Sequence, residues 1–201
     1  MKKHVLFLFA TLLSLVASAH SFEADGIYYN ITSYSDLTVE VTYQGFSSDE
    51  YPNEYFGMMT IPSTVSYEGD TYRVTSIGDE AFRDCSGLVT ITIPKGVTSI
   101  GDWAFSGCSS LIAINIPESV TSIGNSAFHR CSSLNAITIP KGVTSIGDRA
   151  FYYCSSLIAI NIPEGVTSIG SDAFFGCSSL TAINIPKSMT SIGDDVFWYC
   201  I

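Results

Sequence analysis

Two hydrophobic patterns divide this chain of 201 residues. From residue 75 to residue 201 the apolar positions return every 23 residues. Written from its cysteine, the unit is C-S-S-L-x-x-I-x-I-P-x-x-V-T-S-I-G-x-x-A-F-x-x. The cysteines are Cys85, Cys108, Cys131, Cys154, Cys177 and Cys200, and Phe82, Phe105, Phe128, Phe151, Phe174 and Phe197 keep the same interval. Five full units run from Thr75 to Met189, and a partial sixth ends at Ile201. A period between about 20 and 29 with leucine and isoleucine at fixed offsets predicts a solenoid. Within one unit Ile114 and Ile116 share a strand face, and Leu111 extends it toward the core. Pro117 has no N–H to donate and ends the pairing. Val120 and Ile123 turn inward on the return limb, and Gly124 is expected at a turn with positive φ. Ala127 and Phe128 are expected to pack inward from a short helical turn. One coil buries too little to stand alone, so the coils must stack as parallel strands about 4.8 Å apart. The expected fold is an α/β-type solenoid, mostly β, with a parallel sheet on one face.

Residues 20–74 follow a different rhythm. Leu37-Thr38-Val39-Glu40-Val41-Thr42-Tyr43 alternates with period two and predicts a half-buried strand. Gly26 to Ser33 and Tyr55 to Ile61 are weaker strand candidates. A solenoid needs its first coil covered, because an apolar face and a strand edge otherwise meet water. Residues 20–74 are therefore read as a β-rich N-terminal cap.

Charge sharpens that division. Residues 20–74 carry nine acids against Arg73 alone, whereas residues 75–201 carry ten acids and six bases. The whole chain has a formal charge of −10, the wrong sign for a phosphate-binding surface, so nucleic acid is excluded as a partner. Ahead of the cap, Lys2, Lys3 and His4, the apolar run Val5 to Val16, and Ala17-Ser18-Ala19 have the order of a secretion signal cleaved after Ala19. The run is shorter than the roughly 20 residues a membrane span needs. An uncleaved anchor is the alternative. The expected domains are thus a signal peptide (1–19), an acidic cap (20–74) and a solenoid (75–201), in a chain that is secreted or held at the cell surface without membrane insertion.

No HExxH, Walker loop, GxSxG or GxGxxG motif occurs. His129 occupies a slot filled elsewhere by Arg83, Ser106, Tyr152, Phe175 and Trp198, which argues for a variable surface position rather than the base of a triad. One of Asp194 and Asp195 shares the recurring turn position of Asp79, Asp102 and Asp148. No catalytic residue, cofactor or metal is assigned. The six cysteines occupy one position of successive coils, so they form a buried column of free thiols. Parallel side chains do not point at one another for bridging, and no paired spacing matches a zinc site. Lys95, Glu118, Lys141, Glu164 and Lys187 alternate in sign from coil to coil and are expected to pair. Thr92, Asn115, Thr138, Asn161 and Asn184 line the outer strand face. The least constrained slots follow the Ala-Phe block. Large aromatics at positions that the repeat does not fix are candidates for recognition. The candidate ligand-binding residues are Trp103, His129, Arg130, Tyr152, Tyr153, Phe175, Trp198 and Tyr199.

The CSSL, I-x-IP, V-TSIG and AF blocks closely resemble the leucine-rich repeats of the BspA-like family of secreted bacterial surface proteins. Asp25 to Ile31 and Ile61-Pro62-Ser63-Thr64-Val65 are also similar to that family's N-terminal region. The resemblance implies a right-handed leucine-rich-repeat solenoid and a non-enzymatic protein that adheres to host or microbial surface proteins or glycans. A structural or assembly module, or a repeat fragment without its own ligand, is the rival class, and a hydrolase is a distant third. The sixth unit lacks its strand, so Leu180 to Ile185 is expected to expose an edge and support a weak homodimer.

Overall fold

The computed structural model describes residues 20–44 and 54–200. The segment read as a secretion signal, residues 1–19, lies outside the described residues. Six strands lie ahead of the first repeat cysteine, Cys85: β1 (Phe22–Ala24), β2 (Ile27–Ser33), β3 (Thr38–Thr42), β4 (Gly57–Thr60), β5 (Thr64–Tyr67) and β6 (Asp70–Ile77). Strands β7 to β16 are Leu88–Thr92, Ser99–Ile100, Ala113–Asn115, Ser122–Ile123, Ala136–Thr138, Ser145–Ile146, Ala159–Asn161, Ser168–Ile169, Ala182–Asn184 and Ser191–Ile192. They form two sheets rather than the one expected. The Ile-x-Ile limbs stack in the order β15-β13-β11-β9-β7-β4, and the Ser-Ile return limbs stack as β6-β8-β10-β12-β14-β16. Register follows the repeat: Ile114 pairs with Ile137, Ile160 with Ile183, and Ile123 with Ile146.

The Ala-Phe block is not helical, and no helix occurs among the described residues. Its backbone amides explain why. Trp103, Phe105 and Gly107 donate to the carbonyls of Asn125, Ala127 and His129 in the next coil. Between them, Ser106 and Cys108 donate three residues back, to Trp103 and Phe105. Alternate amides thus belong to the neighbouring coil, and an α-helical ladder cannot form. Two left-handed positions per coil keep the chain in this path, such as Trp103 (φ 58°) with Gly107 (φ 75°), and Arg149 (φ 54°) with Tyr153 (φ 55°).

Gly124 has no positive φ, contrary to expectation. Its glycine is required by close stacking instead. A Cβ built there falls 2.6 Å from the Asp102 backbone nitrogen and 2.6 Å from the Gly101 carbonyl carbon. The recurring aspartates explain this tightness. Asp79 accepts from the Asp102 amide at 2.7 Å, Asp102 from the Asn125 amide at 2.6 Å, and Asp148 from the Ser171 amide at 2.8 Å. The alternating Lys and Glu ladder forms no side-chain ion pair among the described residues. Glu118 instead accepts from the backbone amide of Lys141 at 3.4 Å.

The cap continues the solenoid. β4 pairs in parallel with β7, matching Met59 to Ile91 and Thr60 to Thr92, and β6 pairs in parallel with β8. Residues 57–77 are therefore a coil of their own, with the β5–β6 hairpin inserted in its return limb. The insertion hides the coil from a fixed period, because Ile61-Pro62 and Ile93-Pro94 are 32 residues apart rather than 23. Strands β1 to β3 then close the edge of β6. Inside, the phenylalanine rings stack from Phe82 to Phe197 with centroids 5.0–5.8 Å apart, and Tyr55 ends the column 4.8 Å from Phe82.

Candidate ligand-binding flank

The turn carrying the Ala-Phe block sets two side-chain columns on one flank. Phe128 points into the core, so the next residue of the turn, His129, faces out beside its equivalents in adjacent coils. His129 stacks on Tyr152 (centroids 5.1 Å, interplanar angle 13°), and Tyr152 stacks on Phe175 (4.8 Å, 13°). Trp103 enters from the first left-handed position, tilts against His129 at 5.4 Å, and lies 5.9 Å from the Arg83 guanidinium carbon. The second column is one residue further along each coil: Asp84, Gly107, Arg130, Tyr153, Gly176 and Tyr199. Tyr153 packs edge-on against Tyr152 (4.7 Å) and Phe175 (5.7 Å), and Tyr199 against Phe175 (5.4 Å). Trp198 meets Tyr199 at 6.1 Å and stands outside the stack. Seven of the eight candidate residues are aromatic or imidazole rings in one network. Arg130, the eighth, lines a cleft beside Tyr153.

Two clefts open over the glycines of the second column. One, of about 450 Å³, is lined by Gly107, Ser109, Arg130, Ser132, Tyr153 and Ser155. The other, of about 520 Å³, is lined by Tyr153, Ser155, Gly176, Ser178 and Tyr199. The serines and glycines escaped sequence reasoning. Ser109, Ser132, Ser155 and Ser178 are invariant members of the repeat and read as structural, and a glycine offers no side chain to notice. The usable signal was glycine in two coils of a repeat position that elsewhere carries Asp, Arg or Tyr.

His129 is half-buried and its imidazole is depressed to about 4, first by desolvation and then by Arg130, Arg149 and Arg83. It is therefore neutral at pH 7. Its Nδ1 lies 3.3 Å from Ser106 Oγ, yet Ser106 is buried and the charges acting on His129 are three arginines. A nucleophilic pair needs a carboxylate to orient and stabilise the imidazolium, which this surrounding opposes.

The cysteines are unbridged, and each Sγ–H from Cys108 to Cys200 donates to the carbonyl of a phenylalanine 26 residues earlier. Cys131 to Phe105 is 3.0 Å. Desolvation pushes Cys85 and Cys177 up to about 12 and Cys108, Cys131 and Cys154 well above their ordinary value. Such thiols are poor nucleophiles and poor metal ligands. Among the described residues no group of three His, Cys, Asp or Glu is placed to hold a metal ion, and no helix is long and apolar enough to cross a membrane.

Coiled parallel strands, a stacked core and outward variable columns define a repeat solenoid protein. The BspA type leucine rich repeat region matches residues 75–201 in six copies, and the chain belongs to this family. No curated protein matches it. Among solved structures, a leucine rich cell surface protein from Faecalibacterium prausnitzii A2-165 is 32% identical with a TM-score of 0.65. The match covers 89% of this chain and 52% of that one. A leucine-rich repeat protein from Bacteroides ovatus is 27% identical (TM-score 0.52; 90% and 57% covered), and a leucine rich repeat protein from T. pallidum 26% identical (TM-score 0.68; 89% and 88% covered). The chain thus spans just over half the length of the first two.

Proposed function

We propose that the chain is a non-enzymatic binding module, secreted and displayed at a cell surface, that engages macromolecules of host or microbial surfaces along its aromatic flank. The observation that carries this reading is the continuous ring network from Trp103 to Tyr199, built at positions that neither strand pairing nor core packing fixes. Tyr153, Trp198 and Tyr199 are 42%, 56% and 61% exposed, so large rigid side chains are held in water on an ordered scaffold. Aromatic anchors of this kind dominate recognition surfaces because they bury much area at small entropic cost. The description of the F. prausnitzii relative as a cell surface protein agrees with the location.

The purified chain, probed against arrays of extracellular-matrix proteins and surface glycans, is expected to retain at least one ligand. Tyr152→Ala with Tyr153→Ala should weaken that binding by more than about 1 kcal/mol. Thr138→Ala, on the outer sheet face, should change it little. The opposite ranking would move the site to the sheet and defeat the proposal.

A further inference from the structure

We propose that the paired clefts form one groove for an oligosaccharide bearing a carboxylate, with the acid group on Arg130 and a pyranose face on Tyr153. This deepens the reading above and rests on it. The two clefts share Tyr153 and Ser155, so they are halves of one trough crossing the coils from Gly107 to Tyr199. Each half falls in the size range of small-ligand sites.

The chemistry of the lining selects the occupant. A pyranose presents an apolar C–H face and a rim of hydroxyls. It therefore asks for an aromatic wall and short polar groups beneath, and here Tyr153 and Tyr199 stand over Ser109, Ser132, Ser155 and Ser178. The two tyrosines are two coils apart, about 10 Å at ordinary strand spacing, which fits every second sugar ring of an extended chain. Tyr153 is already fixed in place. Its ring lies against Gly176, where a Cβ would come within 2.6 Å of Tyr153 Cδ1, so binding costs little ordering.

An extended peptide fits less well. It gains much of its affinity from backbone hydrogen bonds, and the four second-column amides along the groove are already committed. The amides of Gly107, Arg130, Tyr153 and Gly176 donate to His129, Tyr152, Phe175 and Trp198 of the next coil. The lining offers serine and tyrosine hydroxyls and one guanidinium.

That guanidinium sets the charge of the ligand. Arg83 pairs with Glu80 and Asp84, and Arg149 with Asp172. Arg130 has no ion-pair partner among the described residues, on a chain whose formal charge is −10. Its planar fork suits a carboxylate.

Isothermal titration of the full chain tests this with three probes: a hyaluronan oligosaccharide (uronic acid), 3′-sialyllactose (sialic acid) and neutral lactose. Binding of one or both acidic probes, with lactose at least about fivefold weaker, is expected. The stronger acidic probe distinguishes the two sources of carboxylate. Arg130→Gln should erase the preference for acid over neutral sugar. Tyr153→Gly should weaken all sugar binding by about fivefold or more. Glycine is the informative replacement because Gly107 and Gly176 hold the same left-handed position with φ of 75° and 71°, and an unchanged melting transition checks the fold. Equal affinity for acidic and neutral probes, or an inert Arg130→Gln, overturns the carboxylate assignment. Absence of sugar binding overturns the glycan groove. If a matrix protein then still depends on Tyr152 and Tyr153, the flank reading survives; if no ligand depends on them, both fall.

Discussion

The leucine column offers a series in which chemistry is constant and position alone varies. Leu88, Leu111, Leu134 and Leu157 are fully buried at one repeat position, whereas Leu180 at the same position is only partly buried. Leu134→Ala removes three carbons from the middle of the stack, about 2.5 kcal/mol of transfer free energy. The walls cannot close on the space. The Leu134 amide is tied to Cys131 at 3.0 Å, and the adjoining strand is paired with both neighbours, Ile114 and Ile160, in register. A residual cavity on the order of 60–80 Å³ adds about 1.5–2 kcal/mol. The expected loss is therefore about 4 kcal/mol for Leu134→Ala and about half that for Leu180→Ala. The outward Asn161→Ala should cost less than about 1 kcal/mol, since its side chain makes one long contact, with Asn184 Nδ2 at 3.4 Å. Urea unfolding followed by far-ultraviolet circular dichroism reads these as shifts of midpoint at constant m. Equal losses at Leu134, Leu180 and Asn161 would refute both the strand facing and the rigid-stack argument.

Four further outcomes are expected. All six thiols react with a thiol reagent in denaturant without reductant, while few react in the folded chain; two or fewer reactive thiols after denaturation would establish disulfides. Gly124→Ala costs about 1–3 kcal/mol through overpacking against Asp102, and a thermal transition within error of the parent would refute the close-stacking account. His129, with a folded pKa of about 4 below its ordinary value of 6.5, favours the neutral form, so its contribution is present above pH 6.5 and is lost as pH falls toward 4. Solvent screening at this half-buried site reduces that loss to on the order of 1–2 kcal/mol, His129→Gln removes it from the stability profile, and an NMR titration midpoint above 6 would contradict it. A polypeptide cut at residue 201 leaves Ile185, Ile192, Phe197, Trp198 and Tyr199 as apolar surface beside β15 and β16, so light scattering of that polypeptide should show a weak dimer that Ile185→Lys abolishes; a monomer at every concentration refutes this.

What the sequence discloses is set by periodicity. Inward residues such as Leu111, Ile114, Val120 and Phe128 are readable because each coil repeats the same contacts, and chance does not hold six cysteines in step. Strands β2, β3 and β4 are readable from alternation. Features that depend on the distance between coils are not. The second sheet is only two residues deep per coil, too short for any pattern, and its pairing is visible only once Ser122 and Ile123 meet Ser99 and Ile100. The Ala-Phe turn has helical composition, but its amides are taken by the next coil. The coil at 57–77 is hidden by an inserted hairpin. The binding flank was legible as a list of rings. Its clefts were not, because they depend on how side chains of adjacent coils lie against Gly107 and Gly176.

Those two glycines show how a repeat can carry a specific surface. A left-handed φ does not by itself demand glycine here. Glu80, Trp103, Ser126, Arg149, Asp172 and Asp195 all occupy the first left-handed position without one, at φ between 53° and 58°. At the second position glycine appears where the preceding coil leans over it. Asp84 covers Gly107, and the Tyr153 ring covers Gly176. Where the preceding coil is small, as Gly107 is before Arg130, the next coil carries a large side chain. Glycine thus follows Asp84 and Tyr153 and precedes Arg130 and Tyr199, while Arg130 and Tyr153 stand on consecutive coils. Stacking needs no such variation, because amides shared between adjacent coils and the common core already hold the coils together. Relief of this kind, cut into a flank that the backbone holds rigid, produces walls and floors without changing any buried contact. It also means that Tyr153 and Gly176 act as one unit, since the ring keeps its place only while the glycine lacks a Cβ.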